Sequence, residues 1–271
     1  MSKNIQKPFI KWAGGKTQLI PELAKNKPDK FNRYLEPFVG GGALLFYLEK
    51  SPSLINDSNE ELMNCYNIIK TQPFALIDDL RKHVNAKEYY YNIRSKITLK
   101  MSSIERASRF IFLNRTCFNG LWRVNKNNEF NTPFGGYKNP KILDAPLILK
   151  ASKFLNNVDL YCLDFEEFLL KYAKKEDFVY LDPPYHPVSK YSDFKRYTKE
   201  FFGEKEQIRL ANIFRTLDER GCKLLLSNSY SDLPIKLYKD YEIITVMAKR
   251  RINKDSTGRG EVKEILVRNY G

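Results

Sequence analysis

The sequence predicts an α/β protein: a doubly wound, mostly parallel sheet with an inserted, mainly helical subdomain that carries a β-hairpin. Three observations carry that expectation. Short apolar runs, rich in β-branched and aromatic residues, each close on a polar or turn residue, as buried parallel strands do. Helical segments follow most of them. Between the second and third runs the rhythm breaks, across residues 59–150.

Taken in order, the first strand is "RYLEP" (33–37), followed by the helical "GGALLFYLEKS"; the second is "SLIND" (53–57), followed by "NEELMNCYNIIKTQ". The insert contains one good amphipathic candidate, "SIERASRFIFLNRTCF", and then the Gly/Asn/Pro-rich "NGLWRVNKNNEFNTPFGGYKNPK". Within the latter, "NKNNEF" reads as the turn of a hairpin. The alternation resumes with "VDLYCLD" (158–164) before "FEEFLLKYAKK", then "FVYLDP" (178–183) before "EKEQIRLANIFRTLDERG", then "KLLLSNS" (223–229). "YEIITVMAK" and "KEILVRNY" have no helix between them and suggest a terminal antiparallel pair. Residues 1–58 and 151–271 are thus expected to form one domain and 59–150 the other.

Composition narrows the function classes. With 46 Lys+Arg against 32 Asp+Glu, the formal charge of +14 favours a polyanionic partner. The longest apolar stretch near the start, "ALLFYLE", is far short of the roughly 20 residues a membrane span needs. Charges and a tryptophan interrupt "MSKNIQKPFIKWAGGK" where a secretory leader would be apolar, so a soluble, cytoplasmic protein is expected. Four dispersed cysteines without a C-x-x-C pair, and only two histidines, disfavour disulfides, zinc and His-based triads. Chemistry without a metal is expected.

Three motifs carry chemistry. "EPFVGGGA" (36–43) sets glycines between a strand end and a helix start, where a ligand can approach the backbone. With Gly40 and Gly42 as its first glycines, a dinucleotide fingerprint would need a third where Leu45 stands, so pyrophosphate is disfavoured. Asp57 ends the next strand, where a carboxylate accepts ribose hydroxyls. A nucleoside ligand fits both; a plain tight turn with a helix-capping Asp57 is the simpler alternative. "KWAGGKT" (11–17) fails the phosphate-loop pattern because Ile10 replaces its first glycine. Trp12 and Lys16 there either face a ligand or are a buried indole and a solvated ammonium.

The third motif is Asp182-Pro183-Pro184-Tyr185. An exocyclic amine conjugated to a purine ring is a poor nucleophile. Hydrogen bonds from its two N–H groups to fixed acceptors draw out and aim its lone pair. Asp182 offers a carboxylate, and the Pro183 carbonyl is held by the proline that follows. Tyr185 offers a stacking face, worth roughly 1–3 kcal/mol per base, for a base that has left its duplex. The bland alternative is a strand-terminal turn with a packed tyrosine.

The ordered set of "PFIKWAGGK", "EPFVGGGA", "IND", "FLNRTCFNGLWRVNKNNEFNTPFGGYK", "DPPY" and "GRGEVKEILVRNY" resembles the Dam-type DNA adenine-N6 methyltransferases of the alpha group (D12 class), across nearly the whole chain. The resemblance implies a Rossmann-like methyltransferase sheet, S-adenosylmethionine as cofactor with S-adenosylhomocysteine as product, double-stranded DNA as partner, and a monomeric, prokaryotic or phage-encoded enzyme. It implies cofactor contacts at Trp12, Lys16, Phe38, Gly40, Gly42, Asp57, Asp164 and Asp182, with catalysis at Asp182, Pro183, Pro184 and Tyr185. The insert corresponds to a target-recognition domain, and the members most similar here act at GATC. Lys11 and Tyr137 match positions that read the first guanine, and Leu121, Arg123 and Pro133 those that read later base pairs. Asn119 matches a residue that props the duplex beside the extruded adenine. Trp122 stands at a position that varies in the family and is expected to alter DNA contacts.

Residues 115–141 hold Arg115, Arg123, Lys126, Lys138 and Lys141 against Glu129, a local +4 that suits DNA. A solvated surface loop is the alternative there. The basic "KRRINKDSTGRGEVK" reads as a loop touching phosphates or closing near the site, or as plain surface. The D-P-P-Y chemistry also suits a cytosine-N4 or an RNA amino-methyltransferase, and a non-catalytic DNA-binding scaffold is a third reading.

Overall fold

A computed structural model describes residues 7–185, 202–249 and 261–271. Its strands are β1 (Tyr34–Glu36), β2 (Ser53–Asn56), β3 (Val158–Tyr161), β4 (Phe178–Leu181), β5 (Lys223–Ser229), β6 (Glu242–Lys249) and β7 (Glu261–Arg268). They form one sheet in the order β3-β2-β1-β4-β5-β7-β6. The first five are parallel neighbours, and β7 runs antiparallel to both β5 and β6. Each expected strand is present, and the terminal pair is antiparallel. The hydrophobic pattern does not convey that the last strand slots between the two before it.

The described helices are α1 (Ile20–Asn26), α2 (Ala43–Leu48), α3 (Glu60–Thr71), α4 (Pro73–Leu80), α5 (Lys87–Ser95), α6 (Ser103–Thr116), α7 (Ala145–Leu155), α8 (Phe165–Tyr172), α9 (Glu204–Glu219) and α10 (Asp232–Leu237). None is long and apolar enough to cross a membrane. Helix α2 is the apolar run "ALLFYL" alone, bounded by left-handed residues at both ends, Gly42 (φ +68°) before it and Glu49 (φ +46°) after it. Helix α6 starts on a capping box, with Ser102 and Glu105 each accepting the other's backbone N–H. Residue 150 lies inside α7.

Period-two alternation divides the core into two layers. Tyr34, Ile55, Phe178, Tyr180, Leu225 and Leu266 pack beneath the N-terminal segment, α2, α3 and the insert. Leu35, Leu54, Val179, Leu181, Leu224 and Val267 pack beneath α8 and α9. Asp182 continues the even-numbered side of β4, so it emerges on the face that carries the insert.

The hairpin in the insert is a chain reversal rather than a ladder. Isolated antiparallel bridges join Cys117 to Phe134 and Val124 to Phe130. Backbone bonds from Phe118 N to the Pro133 carbonyl, Asn131 N to that of Arg123 and Asn125 N to that of Glu129 are reinforced by side chains: Asn125 Oδ1 accepts from the N–H groups of Asn127 and Glu129, and Thr132 Oγ1 donates to the Leu121 carbonyl. Pro133 has no N–H to give. Trp122 corrects its expectation. It is 3% exposed, 4.0 Å from Phe110 and 4.6 Å from Phe130 between ring centroids, and it builds the insert's core instead of meeting DNA.

Candidate active site

Strand order reverses between β1 and β4, and the loops leaving their carboxyl ends open the crevice in which such sheets bind ligands. The loop after β1 carries the glycines. Gly40 N donates to Asp57 Oδ2 and Asn59 N to Asp57 Oδ1, both at 3.0 Å. Tyr66 Oη donates to the Gly40 carbonyl at 3.1 Å. A Cβ on Gly40 would lie 2.5 Å from the Trp12 ring, so glycine is required for Trp12 to lie against this loop. Asn56, buried at the end of β2, donates to the carbonyls of Pro37 and Leu163 and accepts from Leu163 N. One amide thereby ties together the loops after β1, β2 and β3.

Asp57 is not the helix cap, because Asn59 caps α3 with its side chain accepting from Leu62 N. Burial pushes the Asp57 carboxyl up from 3.8 to about 6, against the two backbone N–H bonds that favour the charged form. Glu36, 3% exposed, is held well above the carboxylate range, first by burial and then by the nearby Asp182 charge. It accepts from Tyr34 Oη at 2.8 Å.

Asp182 is held from two sides. Its Oδ1 accepts from Ser227 Oγ on β5 at 2.8 Å and pairs with Lys16 Nζ at 2.8 Å. Ser227 Oγ is in turn 3.0 Å from Tyr180 Oη. The Pro184 carbonyl accepts from Gln207 Nε2 of α9, and Gln207 Oε1 accepts from Asn228 Nδ2. Tyr185 donates its hydroxyl to Glu264 Oε2 of β7 at 2.6 Å. Burial first, and then the charges of Asp182 and Glu264, keep that phenol well above its ordinary value and so protonated.

Lys16 is the opposite of a solvated lysine. It is 7% exposed, with Nζ donating to the Gly14 carbonyl and lying 4.5 Å over the Tyr185 ring. One ammonium thus contacts both the Asp182 carboxylate and the Tyr185 ring. Trp12 lies against the same loop and stacks on Phe110 of α6 at 6.3 Å.

Asp164 stands apart from that cluster. It caps α8 through Glu166 N and pairs with Arg209, which also holds Glu166 and Glu206. Phe38 lies beside it, packed on Phe165 and Phe202 at 5.3 and 5.7 Å. Ser227, Gln207, Asn228 and Glu264 escaped the motif reading. The polar tail of "KLLLSNS" inside an otherwise apolar strand was the available signal for the serine and asparagine.

The expected DNA-reading residues form two groups. Lys11 exchanges backbone hydrogen bonds with Asn114 of α6, and its Nζ lies 4.9 Å over the Tyr137 ring. Tyr137 Oη accepts from Asn119 N at 2.9 Å. Lys11, Asn119 and Tyr137 are therefore one cluster, joined to Lys16 by the four residues between Lys11 and Lys16. Across the reversal, Arg123 Nε donates to Asn131 Oδ1 at 2.7 Å, Leu121 is half-buried, and Pro133 is exposed. Two of the counted charges turn inward or pair: Arg115 donates to the Phe9 carbonyl and Lys141 pairs with Asp144. Lys126 and Lys138 are exposed. His83 stacks on Phe112 and bonds Tyr89 and Ser108; burial lowers it to about 4, a structural role. His186, Pro187 and residues 250–260 of the basic tail lie outside the described residues. Among the described residues no cluster of His, Cys, Asp or Glu has the grouping of a metal site.

Residues 12–252 match the family model of the D12 class N6 adenine-specific DNA methyltransferases. The chain is 47% identical to the type II methyltransferase M1.LlaDCHI of Lactococcus lactis subsp. cremoris, with 98% of this chain and 96% of that one covered. It is 45% identical to the type II methyltransferase M.MjaIII of Methanocaldococcus jannaschii, over 97% of this chain and 99% of that one. Identity to the DNA adenine methylase of Escherichia coli K12 is 34%, over 98% of this chain and 96% of that one. The match spans the glycine loop, the insert and the D-P-P-Y turn, and the chain belongs to the D12 class of N6 adenine-specific DNA methyltransferases.

Proposed function

We propose that the protein methylates the N6 amine of adenine in GATC sites of duplex DNA, on a target base extruded from the helix, by direct transfer without a covalent enzyme intermediate. The observation that carries this reading is the placement of Asp182 and Tyr185 at the sheet's switch point, on the face that bears the insert. The insert, residues 59–150, serves as the recognition domain.

The residues present fit S-adenosylmethionine. Gly40 and Gly42 let the loop after β1 pack closely against Trp12, Tyr66 and Phe46, and Asp57, a partly exposed residue, stands at the end of β2. Phe38 and Asp164 would flank the adenine end, Asp57 would take the ribose, and Trp12, Lys16 and Asp182 would line the methionine end. When bound, this cofactor supplies an electrophilic methyl group.

The protein's own work is orientation. Among the described residues, both contacts to the Asp182 carboxylate fall on Oδ1, which leaves Oδ2 to accept one amine hydrogen. The Pro183 carbonyl accepts the other. Together they bring the nitrogen lone pair out of conjugation, while the Tyr185 ring sets the plane of the base. Asp182 is also the first acceptor in reach for the proton that the amine sheds after the methyl arrives. Lys11 and Tyr137, packed together, would read the first guanine. The Arg123 fork, its plane set by Asn131, suits guanine O6/N7, and Leu121 and Pro133 suit a thymine methyl. Asn119 would fill the gap left in the duplex.

The test is methylation of duplexes with one GATC site by wild type and Asp182→Ala, using labelled S-adenosylmethionine and nucleoside mass analysis. N6-methyladenine from wild type and none from the variant, with DNA affinity retained, is expected. N4-methylcytosine, label confined to RNA, or label on duplexes lacking GATC would overturn the corresponding part of the reading.

A further inference from the structure

We propose that Glu264 is a positioning residue for methyl transfer, its carboxylate fixing the plane of the Tyr185 ring; this rests on the stacking role given to Tyr185 above. Two prolines set the direction of the backbone entering Tyr185 but leave its side-chain torsions open. What holds the ring is contact at its two ends. Its face meets the Lys16 ammonium, and its hydroxyl donates to Glu264 Oε2 at 2.6 Å. A hydrogen bond to an ionised acceptor is shorter and about twice as strong as a neutral one.

The fold makes Glu264 a firm anchor. It sits opposite Ser229 of β5 and Val246 of β6, so its backbone is paired on both sides. Alternation from Leu266, which packs in the insert-facing layer, puts Glu264 on the same face as Tyr180 and Asp182. Only the insertion of β7 beside β5 brings residue 264 to residue 185. A parallel strand in that place would have turned its carboxyl end to the crevice and carried residue 264, near its amino end, to the opposite edge of the sheet.

The experiment is a double-mutant cycle in single-turnover methylation, with 2-aminopurine at the target position reporting base extrusion. Glu264→Ala and Tyr185→Phe are each expected to lose roughly tenfold or more in rate, and the double variant no more than either alone. Glu264→Gln, whose amide oxygen still accepts the phenol, recovers most of that loss. Affinity for S-adenosylhomocysteine stays within about twofold in all of them. Losses that multiply, or Glu264→Gln as impaired as Glu264→Ala, overturn the proposal. Tyr185→Ala separates the two levels. If it keeps the wild-type rate, the stacking role itself fails. If it loses rate while Tyr185→Phe and Glu264→Ala do not, stacking stands and only the positioning role fails. Tyr185→Phe and Glu264→Gln preserve side-chain volume, so they decide the matter even where Glu264→Ala does not fold.

Discussion

Cofactor affinity is expected to weaken as pH falls from 7 to 5, and Asp57 is the group responsible. Burial holds its carboxyl at about 6 rather than 3.8 in the unliganded fold, although Gly40 N and Asn59 N both favour the charge. Ribose hydroxyls donate into a carboxylate, so the bound form prefers Asp57 ionised. At pH 7 roughly nine-tenths of the sites are ionised and at pH 5 roughly one-tenth, which corresponds to a loss of up to about tenfold, or ~1.4 kcal/mol. The partly exposed edge of Asp57 admits water, which makes tenfold the upper limit. The stability linkage has the opposite sense. The native state holds the proton that the unfolded chain has released, so this group's contribution to stability falls as pH rises from 3.8 through about 6. Calorimetric titration with S-adenosylhomocysteine between pH 5 and 8 measures the effect, with Asp57→Asn as the control that should bind more weakly and without this slope. Equal wild-type affinity at pH 5 and 7, or the same slope in Asp57→Asn, would refute the reasoning.

Arg123→Ala should relax discrimination at one base pair, by about 1–3 kcal/mol, and Asn131→Ala should weaken the same position by less, because it frees the Arg123 fork rather than removing it. Methylation rates on duplexes substituted at each position decide this; a uniform loss would make Arg123 a phosphate contact. Gly42→Ala should lower thermal stability by about 1–3 kcal/mol. Its Cβ would meet Tyr66 Oη at 2.7 Å with the backbone at φ +68°, displacing the hydroxyl that anchors Gly40. An unfolding midpoint within a degree or so of wild type would show that the loop relaxes freely.

What the sequence by itself determined is what local chemistry encodes. Buried parallel strands must be continuously apolar, and "FVYLDP" and "KLLLSNS" become β4 and β5 for that reason. The turns that end β1 and β4 carry glycine and proline, and these marked "EPFVGGGA" and "DPPY" as site elements. The ordered motifs also conveyed the family. Tertiary structure decided the rest, because it depends on which distant segments meet. Lys16 reads as a surface lysine until Asp182 and Tyr185 arrive from the other end of the chain to neutralise and cover it. Trp122 reads as a variable position able to alter the DNA contacts around it until Phe110 and Phe130 enclose it. Nothing in the motifs singles out Ser227 or Glu264; one hydrogen-bonds Asp182 and the other Tyr185 only because β5 lies next to β4 and the antiparallel β7 next to β5. Side-chain type and spacing fix the elements, but a hydrogen bond between residues 185 and 264 exists only once the sheet has set its strand order and register.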